Sequence, residues 1–279
     1  MRALKQIAHT GLPLFRWVGG KQRLAKLLKP RITHHVKDRI YIEPFLGSGS
    51  FFFSLTPTVA ILSDNNQLLI DCYECIRDNP DAVWRSLSTH IAHNSEKYYY
   101  LTRDAFNNCN KSASQAARFI YLNRTCFNGV FRVNTKGVFN VPYGHKRRPI
   151  YPNKNDILQC SQMLHGATLN CHSYAEAFSR INKDSFVFLD PPYPPLDDTA
   201  YFRHYTRERF EESDQFSLSL QVRTICERGG LFLLTLPDNP KVRRSYKGYI
   251  FNKVNCVRYV SCRIEKRVEK EIIISNFEY

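Results

Sequence analysis

Apolar positions along the chain fall into two spacings. Short runs of β-prone residues at 39–42, 59–62, 167–174, 186–189, 231–234, 254–260 and 272–275 predict seven strands. Elsewhere apolar residues return every three or four positions, as at Leu24, Leu27 and Leu28 and again over 216–226, which predicts helices. Strands that alternate with helices predict an α/β fold built on a mostly parallel, Rossmann-like sheet. The alternation stops after Asp64. Residues 67–154 read as amphipathic helices rich in Tyr, Arg and Lys, an insertion into a sheet domain made of 1–66 and 155–279.

The junction after the run Phe186-Val187-Phe188-Leu189 carries the most chemistry. Asp190-Pro191-Pro192-Tyr193-Pro194 follows at once, and consecutive prolines, which lack backbone donors and fix φ, must end the strand. Asp190 is therefore expected at a strand's C-terminal edge, where open α/β sheets bind ligands. A carboxylate, an exposed proline carbonyl and an aromatic ring suit an exocyclic amine on a flat heteroaromatic ring: the two oxygens accept its two N–H groups while the ring stacks.

Two glycine-bearing stretches precede it. Trp17-Val18-Gly19-Gly20-Lys21 offers close backbone approach, a cation and a stacking face. Glu43-Pro44-Phe45-Leu46-Gly47-Ser48-Gly49-Ser50 follows a predicted strand and opens a helix through three phenylalanines, the layout of a nucleotide-type cofactor site. The third glycine of the dinucleotide fingerprint is missing, so an adenosine moiety fits better than a whole dinucleotide. Asp64, at the end of the next predicted strand, stands where such sites place the acid for the ribose hydroxyls. The stretch containing His172, Ser173 and Tyr174 is a strand end within reach of the cofactor's base; His172 alone carries no assignment.

Within the insertion, two β-prone runs around Asn134-Thr135-Lys136-Gly137 predict a hairpin over 127–142. Arg124, Arg132, Lys136, Lys146, Arg147 and Arg148 interleave with Tyr121, Phe127, Phe131 and Tyr151, the mixture of phosphate contacts and base wedges expected of a nucleic-acid surface. Composition agrees. Forty Lys+Arg against 25 Asp+Glu leave a net charge of +15, which favours a polyanionic partner. No apolar run approaches the ~20 residues that cross a bilayer, and the first residues lack the apolar segment of a secretory signal, so a cytoplasmic protein is expected. Nine scattered cysteines fit reduced thiols, and Cys72 and Cys75 lack a second C-x-x-C to complete a metal site; no metal is expected.

Taken together, Trp17 to Lys21, Glu43 to Ser50, Asp64, Asp190 to Tyr193, and in the insertion Tyr121-Leu122-Asn123-Arg124, Phe127-Asn128-Gly129 and Phe139-Asn140-Val141-Pro142-Tyr143-Gly144 resemble the Dam family of DNA adenine-N6 methyltransferases. The resemblance runs from about Leu14 to Asn276. It implies a class I methyltransferase fold, S-adenosyl-L-methionine as cofactor, and methylation of a flipped adenine in double-stranded DNA, commonly within GATC. The catalytic residues it implies are Asp190, Pro191, Pro192 and Tyr193. For the cofactor it implies Trp17, Lys21, Glu43, Pro44, Phe45, Gly47 and Gly49, with Asp64, Ser173, Tyr174 and Asp190. For DNA it implies Arg124, Phe127, Asn128, Val130, Arg132, Asn140 and Pro142, with Arg132 on a guanine edge. Val130, Phe131 and Val133 depart from the family's better-known hairpins, which bears on the recognition sequence rather than on the reaction. A monomer is expected, and any cognate restriction endonuclease would be a partner in function rather than a bound subunit. The alternatives are a methyltransferase of the same motif acting on cytosine N4 or RNA, and a DNA-binding homologue without catalysis.

Overall fold

The computed structural model describes residues 14–171, 174–192, 212–254 and 271–279. In chain order its elements are α1 (Gln22–Val36), β1 (Ile40–Glu43), α2 (Ser50–Leu55), β2 (Ala60–Ser63), α3 (Gln67–Asp78), α4 (Pro80–Ala92), α5 (Glu96–Asn107), α6 (Ala113–Thr125), α7 (Lys154–Leu164) and β3 (Ala167–Asn170). They continue with α8 (Tyr174–Phe178), β4 (Ser185–Leu189), α9 (Glu212–Glu227), β5 (Leu231–Pro237), α10 (Pro240–Ser245), β6 (Ile250–Val254) and β7 (Glu271–Ser275).

The strands form one sheet in the order β3-β2-β1-β4-β5-β7-β6, parallel except for β7, which runs antiparallel to both β5 and β6. All five residues of β4 are buried, as expected of a parallel strand covered on both faces. Alternate side chains enter two different cores. Tyr41, Phe186, Phe188, Leu233 and Ile273 pack toward α1 to α7, whereas Ile42, Val187, Leu189, Phe232, Leu234 and Ile274 pack toward α8 to α10. Phe51 of α2 stacks on Phe188 at 3.8 Å between ring centroids, which seats the helix after the glycine loop directly on the central strand.

The stretch expected to be an insertion shares the first of these cores, since buried residues of α3 to α6 join the sheet's cluster without a break. Local chemistry starts its helices: side chains of Asn66, Ser95, Ser112 and Asn153 each accept a backbone N–H of the first turn. In α1 the buried stripe is Leu24, Ala25, Leu28, Ile32 and Val36; Leu27, expected on that stripe, is 51% exposed. Cys72 and Cys75 lie on the buried face of α3, where burial raises both thiol pKa values.

The predicted hairpin exists, but its pairing is sparse. Two isolated bridges, Cys126 with Tyr143 and Val133 with Phe139, flank a turn in which Asn134 accepts from the backbone N–H of Lys136 and of Val138, each at 3.0 Å. A short 3-10 turn, Phe127–Gly129, opens it, with Asn128 at φ 54°.

Candidate active site

Parallel order fixes where the acids meet. Glu43 ends β1, Asp64 follows β2 and Asp190 follows β4, so all three stand on the carboxyl edge of the sheet. The strand order reverses between β1 and β4, and a crevice opens at such a reversal.

The loop after β1 is built for close approach. Gly47 and Gly49 adopt φ of +47° and +63°, and a Cβ on Gly47 would lie 2.7 Å from Cδ1 of the Trp17 indole. Asp64 braces that loop: its Oδ2 accepts from the Gly47 N–H at 2.9 Å and its Oδ1 from the Asn66 N–H at 3.0 Å. A carboxylate has about four lone-pair positions, so each oxygen keeps one for a ligand. Burial outweighs both hydrogen bonds and raises the Asp64 pKa to about 6. Glu43 is 2% exposed and accepts from the Tyr41 hydroxyl at 2.8 Å. Burial, then the neighbouring charges of Asp190 and Asp64, push its pKa up to about 8. Pro44 is buried, and Phe45 stacks with Tyr174 at 5.5 Å.

Asp190 stands at the centre. Its side chain is 19% exposed, and Oδ1 receives Lys21 Nζ at 2.6 Å and Thr235 Oγ1 at 2.7 Å. Lys21 Nζ also lies 3.4 Å from Glu271 Oε1, and Glu271 is 2% exposed at the start of β7. Pro191 is buried and Pro192 exposed. Tyr193 and Ser173 lie outside the described residues. Sequence reading missed Thr235 and Glu271, since a threonine inside an apolar strand and an acid at a strand's start carry no local signal.

On the insertion, the hairpin residues alternate. Phe131, Phe139 and Val141 are at most 4% exposed, while Phe127, Asn128, Asn140 and Pro142 are exposed and Val130 and Arg132 partly so. Arg132 Nε donates to Asn140 Oδ1 at 3.2 Å. Trp17 stacks on Phe131 at 5.9 Å, and Asn123 accepts from the Arg16 N–H at 2.7 Å and donates to the Arg16 carbonyl at 2.8 Å, so the hairpin, α6 and the Trp17 stretch are held together.

Two expectations change here. Arg124 is 7% exposed, and its Nε donates to the Leu14 carbonyl at 3.0 Å; it anchors chain rather than presenting a cation at the surface. Burial lowers its pKa to about 10, which tells of the same surroundings. The interleaved aromatic surface also shrinks to one exposed ring, Phe127. Tyr121 and Phe131 are core, and Tyr121 stacks on the partly buried Tyr151. Helical and strand periodicity turned these rings inward, where large apolar area is best buried.

A seven-stranded, mostly parallel sheet with a glycine loop after β1 and an acid-proline turn after β4, at the strand-order reversal, defines a Rossmann-like methyltransferase architecture. The model of the D12 class N6 adenine-specific DNA methyltransferases matches residues 17–259. Among curated relatives, the Type II methyltransferase M.MjaIII of Methanocaldococcus jannaschii is 32% identical, covering 95% of this chain and 99% of its own. The Type II methyltransferase M1.LlaDCHI of Lactococcus lactis is 33% identical over 95% of each chain. The DNA adenine methylase of Vibrio cholerae is 34% identical over 88% of each. The chain belongs to the D12 class N6 adenine-specific DNA methyltransferase family, and it is an enzyme of that class.

Proposed function

We propose that this enzyme transfers a methyl group from S-adenosyl-L-methionine to N6 of an adenine turned out of double-stranded DNA, within GATC. The single observation that carries the reading is Asp190: a carboxylate at the strand-order reversal, one oxygen engaged by Lys21 and Thr235, beside the glycine loop of the neighbouring strand.

The residues fit the cofactor. Gly47 brings backbone close under Trp17, Asp64 keeps a lone pair on each oxygen for ribose hydroxyls, and Phe45 and Tyr174 supply flat apolar surface for a purine. S-adenosyl-L-methionine supplies a methyl carbon on a positively charged sulfur, which departs as a neutral thioether. Adenine's amine is a poor nucleophile because its lone pair is delocalised into the ring. Asp190 and the Pro191 carbonyl accept its two hydrogens, so the nitrogen pyramidalises and its lone pair is localised for in-line attack. After the N–C bond forms, the nitrogen sheds one proton to solvent. Because the amine is unreachable within a stacked duplex, the base leaves the helix first, with Phe127 and Asn128 filling the gap. Arg132, Val130, Asn140 and Pro142 read the neighbouring bases from the outward side of the hairpin. The reaction takes place where cellular DNA is accessible, in the cytoplasm.

The test is incubation of the purified chain with donor and duplexes with and without GATC, followed by mass analysis of the nucleosides. N6-methyladenine confined to GATC duplexes is expected. N4-methylcytosine, or methylation of RNA alone, would replace this reading. Asp190→Ala is expected to lower turnover by at least ~100-fold, the lower end of what a positioned catalytic group contributes, while duplex affinity stays within twofold. Retained turnover would remove the mechanism.

A further inference from the structure

Four side chains from four separate parts of the fold converge behind the carboxylate: Lys21 ahead of α1, Asp190 after β4, Thr235 in β5 and Glu271 in β7. Oδ1 of Asp190 receives two donors, Lys21 Nζ at 2.6 Å and Thr235 Oγ1 at 2.7 Å. One carboxylate oxygen offers two lone-pair positions, so Oδ1 is filled. Among the described residues none donates to Oδ2. The terminal torsion of an aspartate is broad and roughly two-fold, so an unrestrained carboxylate would sample many planes; two donors, one ahead of α1 and one in β5, hold one.

Glu271 belongs to this device. A buried glutamate needs a partner, and the three residues that follow it in β7, Ile272, Ile273 and Ile274, are all buried and apolar. Its Oε1 lies 3.4 Å from the same Lys21 Nζ that reaches Asp190. A lysine carries a compact charge on a flexible four-carbon stem, and a second acid on a rigid strand keeps that charge in place. The sheet sets the geometry, because β7 pairs with β5 with Glu271 opposite Pro237 and Ile273 opposite Thr235.

We propose that Thr235 and Glu271 are positioning residues for the reaction, Thr235 directly and Glu271 through Lys21, which lock Asp190 by Oδ1 so that Oδ2 is the oxygen that accepts the substrate amine. The inference rests on the function proposed above. Neither residue touches substrate. They act by fixing the plane of the group that does.

Thr235→Val keeps size and removes the hydroxyl; Thr235→Ser restores a hydroxyl. In single-turnover methylation of a duplex at saturating donor, Thr235→Val is expected to lower the rate roughly tenfold or more, as loss of a hydrogen bond to a charged group does, with the donor KM and the duplex Kd within about twofold of wild type. Thr235→Ser is expected to recover most of the rate. Glu271→Gln is expected to repeat the Thr235→Val pattern, again in rate and not in binding. Melting followed by circular dichroism establishes that each variant is folded, and should Glu271→Gln fail to fold, the two Thr235 variants decide the matter. A Thr235→Val enzyme as fast as wild type, a Thr235→Ser enzyme as slow as Thr235→Val, or a loss confined to KM would overturn the inference. Failure of the underlying reading looks different: the wild type would make no N6-methyladenine, or Asp190→Ala would keep its turnover.

Discussion

Glu43 shows how one residue's surroundings set its charge. An acid at the end of a strand, 2% exposed, with a tyrosine hydroxyl donating at 2.8 Å, has its pKa raised to about 8, and Asp64 nearby is raised to about 6, burial being the leading cause for both. Each binds its proton more tightly folded than unfolded. The stability this contributes is therefore complete below the ordinary carboxylate range and is lost as pH rises, through about 6 for Asp64 and about 8 for Glu43. Melting temperature is expected to fall between pH 5.5 and 8.5. Glu43→Gln, which stays neutral and can still accept from Tyr41, is expected to flatten that decline. A wild-type slope in the variant would mean Glu43 is ionised throughout the range. Sequence alone placed Glu43 at a strand end beside the glycine loop; it could not reveal the raised pKa, because burial and the Tyr41 contact are properties of the packed site.

The hairpin over 127–142 is the element whose behaviour departs most from its pattern. Its runs were legible as β-prone, and the turn from Asn134 to Gly137 was legible too, yet only two isolated bridges form. Packing supplies the rest: Phe131 meets Phe119 at 5.0 Å and Phe139 at 5.3 Å, and Asn107 of α5 donates to the Phe139 carbonyl at 3.0 Å and accepts from its N–H at 2.9 Å. Inward rings fix the outward residues, so Arg132 stands on the open side with Asn140 at its Nε. Arg132→Ala is expected to relax discrimination at one base pair by about 1–3 kcal/mol, measured as relative kcat/KM on duplexes substituted at each position of the site. An equal loss on every duplex would identify a phosphate contact instead. Arg124 is the counterpart. It reads like any other arginine in a basic stretch, but it lies in the last turn of α6 on the buried side and holds the Leu14 carbonyl.

For the whole molecule, charge and topology govern separate things. A net charge of +15 favours association with any polyanion, so duplex binding is expected to weaken steeply with salt, log Kd rising by about 0.9 per phosphate neutralised for each unit of log salt. Binding independent of salt between 50 and 200 mM, concentrations within the range where such effects are large, would contradict that role for the basic surface. None of the helices among the described residues is long and apolar enough to cross a membrane. By itself the sequence determined five of the strands closely, the glycine loop and the proline-terminated acid. Those rest on local rules of periodicity, backbone freedom and missing donors, which neighbours a few residues away settle. The run 167–174 is strand only to Asn170, with Tyr174 opening α8, and the strand expected over 254–260 lies past Val254 outside the described residues, β6 being Ile250–Val254. Only the tertiary structure decided which arginine is buried, which aromatic rings are core, and that Thr235 and Glu271 stand behind Asp190. Strand order brings those residues together across long stretches of chain, and no short window of sequence records which strand lies beside which.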